Sequence, residues 1–361
     1  MKTEWMAEIW SYYLELLPEA LPLALVGGLV ALVLGVLFFL LRERVVLLNW
    51  MKPLSALLAS GYGLWLVWEK RSLFDDAFIS LRYASNFVRG NGLVWNLGER
   101  VEGYTNFLWT LLMALGLVIS PVSPEHTLLL MCVFSYLASA SLVYALGRSL
   151  AERSWVPPVA AILYLLHGSA VEFATSGMET QFGVATVLLG LLCLVRAADG
   201  RKWLWSLGGA VLIASTMTRP DFGLFWAAGG LVSVVFSWKT GRRGVDLLRL
   251  PLLYGATFGI YAVYMVWKLW YYGAILPNTY WAKSGDLTYY SQGVIYLQTF
   301  VLGSSAWIVS IAAGVGVVRA ARAGCSDRQT VFWIFTAIAI PIYAFYVVRV
   351  GGDFMYGRFF L

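Results

Sequence analysis

The chain has 361 residues, of which 60% are hydrophobic and 13% are charged, and its formal net charge is +6. Soluble domains carry about 25% charged residues, so this composition excludes a single soluble globular fold. Apolar runs that approach or exceed the roughly 20 residues a helix needs to cross a bilayer recur along the chain. They predict an all-α fold, a polytopic bundle of transmembrane helices.

About ten of these runs are predicted to cross the membrane. They cover residues 22–41, 53–69, 127–147, 155–171, 182–196, 203–218, 222–238, 251–270, 296–318 and 330–348. A further apolar stretch, 105–119, is short and stops before Pro121, which predicts a short helix in the membrane interface. Residues 1–50 form an extra N-terminal segment with one span, and residues 51–361 form the main membrane module.

Basic residues are distributed unevenly among the predicted loops. More than half of the 26 Lys and Arg residues fall in the loops at 42–52, 148–154, 196–202, 239–249 and 319–329, which ten crossings place on one side. The positive-inside rule predicts that this side is cytoplasmic. The positive net charge is therefore a topology signal and does not indicate nucleic-acid binding.

The polar clusters are predicted to meet on the opposite, extracytoplasmic side. They lie at 70–106, 172–181, 219–221, 271–290 and 349–358. Transporters usually keep ionisable groups near the middle of the membrane, whereas these spans hold almost none, apart from Lys268 near a span end. The pattern favours an enzyme that acts at the membrane surface, and it leaves a transporter or a catalytically incomplete binding subunit as alternatives.

The first outer loop, 70–106, begins with two adjacent carboxylates, Asp75 and Asp76. Asp75 is predicted as a helix N-cap, and Gly90 or Gly92 as the helix stop. An apolar face is formed by Ala77, Leu81, Ala84 and Val88. At about 100° per residue, Asp75, Ile79, Arg82 and Asn86 share one face, and Asp76, Ser80, Tyr83 and Phe87 share another.

The acid pair has two readings. A carboxylate at the membrane surface can remove a proton from a hydroxyl group, as a general base does. Alternatively, Asp75 only caps the helix and Asp76 only stabilises its positive end. The pair could also hold Mg²⁺ or Mn²⁺, although no dedicated set of metal ligands is visible in the sequence.

Several motifs, in order along the chain, resemble the GT-C glycosyltransferases, above all the actinobacterial terminal β-(1→2) arabinofuranosyltransferases and their bacterial relatives. The first outer loop contains DDAFIS, RYA and NGLVWN, followed by GERVEGYTNFLW. The later motifs are ATSGMETQF (174–182), TRPDFGLF (218–225), YGAILPNTYWAKSG (272–285) and VGGDFMYGRFF (350–360).

The resemblance implies a GT-C-like glycosyltransferase in the bacterial cytoplasmic (inner) membrane, with its active site facing the extracytoplasmic side. It implies that a sugar, arabinofuranose in this family, passes from a polyprenyl-phosphate donor to a glycan or glycolipid acceptor. Asp75 and Asp76 would then be catalytic. Arginine and lysine side chains suit the lipid phosphate, and the candidates are Arg219, Lys283, Arg358 and, less directly, Arg82.

Further residues in these motifs are predicted to bind the substrates. They are Glu102, Tyr104, Asn106, Glu179, Asn278 and Asp353. For Glu179 and Asp353 the alternative is ion pairing with the nearby cations, and for Glu102, Tyr104 and Asn106 it is ordinary hydrogen bonding within the loop. Similar proteins usually continue beyond the GGDFMYGRFFL at which this chain stops, so a C-terminal outer domain is expected to be absent here.

Overall fold

The structure is a computed structural model that describes residues 45–151, 156–241, 245–282, 289–304, 324–353, 355 and 357–360, with Ser11, Leu29, Val33 and Val36 as isolated positions. Every regular element within these residues is helical, so the predicted all-α class is confirmed for them. The predicted span at 22–41 and most of the span at 296–318 lie outside the described residues, as does Lys283.

Fourteen helices make up the described part of the chain. They are α1 (Val45–Glu69), α2 (Asp75–Val88), α3 (Phe107–Ile119), α4 (Pro124–Leu150), α5 (Val156–Leu165), α6 (Gly168–Phe173), α7 (Thr180–Ala197), α8 (Trp203–Thr216), α9 (Gly223–Lys239), α10 (Val245–Gly255), α11 (Phe258–Tyr272), α12 (Asn278–Ala282), α13 (Tyr290–Gly303) and α14 (Asp327–Val350). Two short 3₁₀ helices lie at Pro220–Phe222 and Arg358–Phe360.

Within the described residues, five helical segments are long and apolar enough to cross a membrane. They are Pro124–Leu150, Thr180–Ala197, Pro220–Lys239, Leu247–Tyr272 and Asp327–Val350. Each of them contains one of the predicted spans, because a long apolar run can satisfy its backbone only as a helix in lipid. The full count of ten crossings stays a prediction.

The predicted span at 155–171 is not one continuous helix. Two short helices, α5 and α6, occupy this region and are separated at His167, which precedes the first turn of α6. The break at His167 and the end of α6 leave backbone carbonyls free, and side chains satisfy them: the Tyr136 hydroxyl donates to the carbonyl of Leu165, and Gln181 Nε2 donates to that of Ala170 at 2.6 Å. A hydropathy pattern does not reveal such a break, because both halves are equally apolar.

Helix α7 lies at the centre of the bundle and is the most enclosed of the five long helices. It packs against α4, α8 and α14. Leu194, Val195 and Trp205 belong to the apolar core at this contact, together with Val232 and Phe335. The start of α7 therefore has a fixed position, and the polar residues just before it are held in place.

Helix α3, predicted to lie in the interface, has only 13 residues. At 1.5 Å per residue it spans about 20 Å, less than the roughly 30 Å of a bilayer core. It packs between α2 and α4, where Leu81, Trp109, Met113 and Leu128 share one buried cluster. Through this packing, the helix that carries the acid pair is attached to the membrane bundle.

Candidate active site

Asp75 and Asp76 are the first two residues of helix α2. The expected N-cap at Asp75 is wrong, because the N-cap position is Phe74 and no side chain caps the helix. Asp75 is exposed and Asp76 is half-buried. Within the described residues neither carboxylate makes a hydrogen bond or an ion pair, so both remain available to a ligand.

The start of α2 is fixed by the loop that precedes α7. The backbone N–H of Phe74 donates to the carbonyl of Ser176 at 3.0 Å, and that of Ser72 donates to Thr175 Oγ1 at 3.2 Å. Beside these bonds, Gly177 packs so closely on Ala77 that a Cβ at position 177 would lie 2.7 Å from that of Ala77. The acid pair therefore begins a rigid turn.

The predicted faces of α2 are largely confirmed. Ala77, Leu81 and Ala84 on the apolar face are buried, whereas Val88 at the end of the helix is exposed. On the Asp76 face, Ser80 and Tyr83 are buried. The helix ends at Val88, just before Gly90, as the sequence predicts. Asp76 thus lies on a side of α2 that turns into the protein.

A chain of polar side chains runs from α2 to the residues after α14. Ser80 Oγ donates to Asn106 Oδ1 at 2.8 Å, and Asn106 Nδ2 donates to Glu179 Oε2 at 2.9 Å. Arg358 then binds Glu179 Oε1 at 3.0 Å and Asp353 Oδ2 at 2.9 Å. We refer to these five residues as the Glu179 network.

Glu179 is only 4% exposed but is stabilised as a carboxylate. Burial disfavours its charged form, yet the Arg358 and Arg219 guanidinium groups and the Asn106 amide outweigh burial and hold the pKa of Glu179 below its usual range. Ion pairing, one of the two alternatives for Glu179 and Asp353, is therefore what the structure shows. Sugar binding by these carboxylates stays a prediction.

Arg219 forms a second buried ion pair near the first. Its Nε and Nη2 donate to the two carboxylate oxygens of Asp221 at 3.2 and 2.9 Å, and the Tyr343 hydroxyl donates to Asp221 Oδ2 at 2.7 Å. The guanidinium also lies 4.7 Å from the ring centre of Phe359, next to Arg358. Asp221 was missed among the candidate residues, although its position two residues after Arg219 in TRPDF could have indicated a pair.

The candidate phosphate-binding cations have different surroundings. Arg219 and Arg358 are enclosed beside Glu179, and both are paired with carboxylates. Arg82 is exposed: its guanidinium stacks on the Trp95 ring at 4.2 Å, and its Nε donates to the Trp95 carbonyl at 3.0 Å. Their binding to phosphate stays a prediction, as does that of Lys283.

Glu102 has a partner that the sequence analysis did not assign. Lys268 on α11 approaches Glu102 Oε2 to 2.8 Å, and both side chains are buried. The backbone N–H of Asn278 donates to the Glu102 carbonyl at 2.9 Å, and the hydroxyls of Tyr104 and Tyr272 lie 3.1 Å apart. Burial is the main reason that the pKa of Glu102 is raised, despite the opposing effect of Lys268. Lys268, a single lysine in a run of apolar residues, was the sequence feature that could have indicated this pair.

The five polar segments that the sequence places on one side are therefore linked by direct contacts, as far as each is described. The first outer loop bonds to 175–179 and to 271–278, and Arg358 bonds to Glu179. Arg219 approaches both Glu179 and Phe359. Which side of a membrane this assembly faces stays a prediction.

Metal binding has little support in the part of the chain that the structure describes. No group of three or more His, Cys, Asp or Glu side chains gathers there in a way that could hold an ion. A cation at Asp75 and Asp76 would need oxygens of water or substrate to complete its coordination, since Mg²⁺ demands about six oxygen ligands.

Comparison with known proteins gives two similar sequences. The terminal β-(1→2)-arabinofuranosyltransferase of Mycobacterium tuberculosis is 31% identical over 351 residues, which cover 86% of this chain and 53% of the relative. The protein of the same name from Corynebacterium glutamicum is 28% identical over 346 residues, covering 85% and 48% respectively. No family model and no solved structure matches the chain.

The chain spans about half the length of the curated relatives it matches. The aligned region takes in most of this chain, and both relatives are named as enzymes that transfer arabinofuranose. The resemblance predicted from the ordered motifs is thus confirmed: the chain is similar to terminal arabinofuranosyltransferases of actinobacteria.

Proposed function

We propose that this chain carries the membrane glycosyltransferase module of an arabinofuranosyltransferase. The observation that carries the proposal is the placement of Asp75 and Asp76. They are unpaired within the described residues, and they open a helix that the hydrogen bond from Ser80 to Asn106 ties to the Glu179 network. The names of the two relatives favour a transferase over the alternative of a transporter.

The donor in this proposal is arabinofuranose linked to a polyprenyl phosphate. The bond between the anomeric carbon and the phosphate oxygen breaks, and a bond from that carbon to an acceptor hydroxyl oxygen forms. The phosphate leaves with the polyprenol, and the hydroxyl proton passes to a carboxylate. In this proposal Arg219 and Arg358 bind the phosphate by exchanging part of their pairing with Asp221, Glu179 and Asp353 for the phosphate oxygens.

Asp76 is the better placed of the two acids for the role of base. It is half-buried on the same side of α2 as Ser80 and Tyr83, whereas Asp75 is exposed. We assign proton removal to Asp76 and stabilisation of positive charge on the sugar ring to Asp75.

The membrane arrangement in this proposal follows the distribution of charge. The basic loops face the cytoplasm, about ten helices cross the bacterial inner membrane in a GT-C-like arrangement, and the acid pair faces outward. A donor embedded in the outer leaflet then reaches the site from the lipid, and a cell-envelope glycan reaches it from the water.

The test is to incubate the purified protein with a panel of polyprenyl-phosphate sugars and a glycan acceptor, and to follow release of the lipid phosphate. Asp76→Asn is expected to lower the transfer rate by about 10²–10⁴, the usual contribution of a general base. Asp75→Asn is expected to lower it as well, with membrane insertion unchanged.

Glu125→Gln is the control, because Glu125 is an exposed acid at the start of α4, outside the site. Full activity of both aspartate variants would remove the catalytic assignment. Lipid-phosphate release from none of the donors would contradict the proposed function itself.

A further inference from the structure

A cavity of about 300 Å³ lies beside helix α2, on the face that carries Tyr83. Its lining includes Tyr83, Trp95, Asn96, Glu99 and Asn278. This volume is at the lower end of the range for small-molecule sites. The cavity joins the first outer loop to the start of α12, two segments that are distant in sequence.

The cavity begins one helical turn after the acid pair. Helix α2 contributes Ile79 and Tyr83 to its wall. At 1.5 Å per residue, Ile79 lies about 4.5 Å beyond Asp76 along the helix axis, and at about 100° per residue Tyr83 points within about 20° of the Asp76 direction. A molecule in the cavity would therefore extend along α2 toward the carboxylates.

The chemistry of the lining suits a neutral polyhydroxy ring. Tyr83 and Trp95 supply aromatic surface for C–H groups, and Asn96, Glu99 and Asn278 supply donors and acceptors for hydroxyl groups. Among the described residues, the lining includes one carboxylate and neither lysine nor arginine. None of these lining groups can pair with the charge of a phosphate group, in contrast to Arg219 and Arg358.

Two groups on the lining have unused hydrogen-bonding capacity. Within the described residues, neither the indole N–H of Trp95 nor the side-chain amide of Asn278 makes a hydrogen bond. The Tyr83 hydroxyl, by contrast, donates to the Val101 carbonyl at 2.7 Å and accepts from the Gly103 N–H at 2.9 Å, which fixes its ring. Stacking by Arg82 at 4.2 Å fixes the Trp95 ring in the same way. The walls are preorganised, and the free donors are left for a ligand.

We infer that this cavity is the subsite that holds a neutral sugar ring of the acceptor glycan, next to the ring whose hydroxyl is deprotonated at Asp76. The inference rests on the proposed function and adds to it a separation of roles. The acceptor ring binds among Tyr83, Trp95 and Asn278, and the donor phosphate binds at Arg219 and Arg358, neither of which lines the cavity.

The test measures how acceptor and donor each bind to the full chain in lipid nanodiscs. An arabinofuranose disaccharide is titrated by saturation-transfer NMR, with arabinose 5-phosphate as the anionic comparator. Trp95→Leu is expected to weaken disaccharide binding about tenfold and to raise the KM for acceptor equally, while the KM for donor changes less than about twofold. Asn278→Ala, which removes only an unpaired amide, is expected to weaken binding severalfold.

Trp68→Leu is the matched control. Arg71 stacks on the Trp68 ring at 4.1 Å and donates to the Trp68 carbonyl at 2.7 Å, the same arrangement as Arg82 on Trp95, but Trp68 does not line the cavity. Its disaccharide affinity should equal that of the unaltered chain.

The two proposals fail in different ways. The subsite would be overturned if the chain transfers sugar and Trp95→Leu, Asn278→Ala and Trp68→Leu all bind the disaccharide equally well. It would also be overturned if the sugar phosphate binds more tightly than the disaccharide. Either result would leave the enzyme proposal intact. In the opposite case, Trp95→Leu and Asn278→Ala weaken disaccharide binding, but the chain releases no lipid phosphate from any donor. That result would support the subsite and contradict the transferase.

Discussion

Glu179 is as enclosed as many core residues of this protein, yet it is charged and bonded on both carboxylate oxygens. Removing one member of a buried ion pair costs about 3–5 kcal/mol, because the remaining charge is left without its partner. We expect Glu179→Gln to cost about 3 kcal/mol, the lower end of that range, since Arg358 keeps Asp353. The midpoint of thermal unfolding in detergent measures the loss.

Asp199→Asn is the matched control for this loss. Asp199 pairs with Arg328 at 2.7 and 2.8 Å, with side chains that are 33% and 31% exposed. Exposed pairs of this kind contribute at most about 1 kcal/mol. Equal shifts of the unfolding midpoint in the two variants would show that the Glu179 network does not hold the fold together.

The same carboxylate predicts a dependence of stability on pH. A glutamate in an unfolded chain has a pKa of about 4.3, and the pKa of Glu179 is lower in the folded protein. Ionised Glu179 therefore stabilises the fold above pH of about 4.3, and this stabilisation is lost as the pH falls through the lower, folded-state pKa.

We expect the unfolding midpoint to fall more steeply between about pH 5 and pH 3 in the unaltered chain than in Glu179→Gln. The raised pKa of Glu102 acts in the opposite direction, because protonation of that group favours the folded state. It is common to both proteins and so does not affect the comparison. Parallel curves would contradict the assignment.

At the scale of the element, the position of α2 depends on Gly177, a glycine of the loop before α7 that packs against the first turn of α2. Gly177 has a φ of +75°, and a Cβ there would lie 2.7 Å from Ala77 Cβ and 2.9 Å from Leu73 Cδ2. Gly177→Ala therefore combines a left-handed backbone, costing about 1–2 kcal/mol, with a clash that displaces the acid-bearing turn. We expect clear destabilisation together with loss of sugar transfer.

Gly98→Ala separates the two effects. Gly98 has a φ of +84° and no atom within 4 Å of a Cβ, so this variant carries the backbone strain without the clash. It should retain transfer and lose only about 1–2 kcal/mol of stability. If Gly177→Ala behaved like Gly98→Ala in both assays, close packing against Ala77 would not be what positions the acids.

The sequence was informative about elements wherever one local property decides the structure. The helices that contain 127–147, 182–196 and 330–348 follow from long apolar runs, and the buried face of α2 follows from the spacing of Ala77, Leu81 and Ala84. The break at His167 could not be predicted, because it depends on Tyr136 and Gln181 satisfying the freed carbonyls. The shift of the N-cap from Asp75 to Phe74 depends likewise on the contacts of Phe74 with Ser176.

At the scale of the whole molecule, one buried ion pair joins the first outer loop to α11. Loss of either Glu102 or Lys268 leaves a buried charge without its partner, whereas loss of both removes the charge altogether. We expect Glu102→Gln and Lys268→Met each to speed tryptic cleavage after the exposed Arg100, and the double variant to be cleaved more slowly than either single one. Mass spectrometry of the fragments gives the rates.

Cleavage after Lys202 serves as the internal control, since it lies in an exposed loop between α7 and α8. Its rate should be the same in all four proteins. Uniformly faster cleavage at both positions would indicate general unfolding rather than release of the outer loop.

These long-range pairings are the part of the site that sequence patterns could not supply. Charge bias and motif order indicated that the polar segments meet, and the contacts of Asn106, Glu179 and Arg358 agree. The residues around Glu102 in the sequence do not identify Lys268 as its partner. Those around Arg219 do not show that Tyr343 donates a hydrogen bond to Asp221, the carboxylate that pairs with Arg219. Such pairs depend on how distant helices pack together, and the sequence of a single segment does not show which other segment packs against it.

The bonds from Ser80 through Asn106, Glu179 and Arg358 to Asp353 have a consequence for the evolution of this protein. Each member satisfies the next, so a charge change at one position leaves its neighbour buried and unmatched. Related sequences should therefore exchange residues at positions 179 and 358 together, and those at 80 and 106 together. Covariation at these positions would show that selection acts on the matched pairs and not on each residue alone.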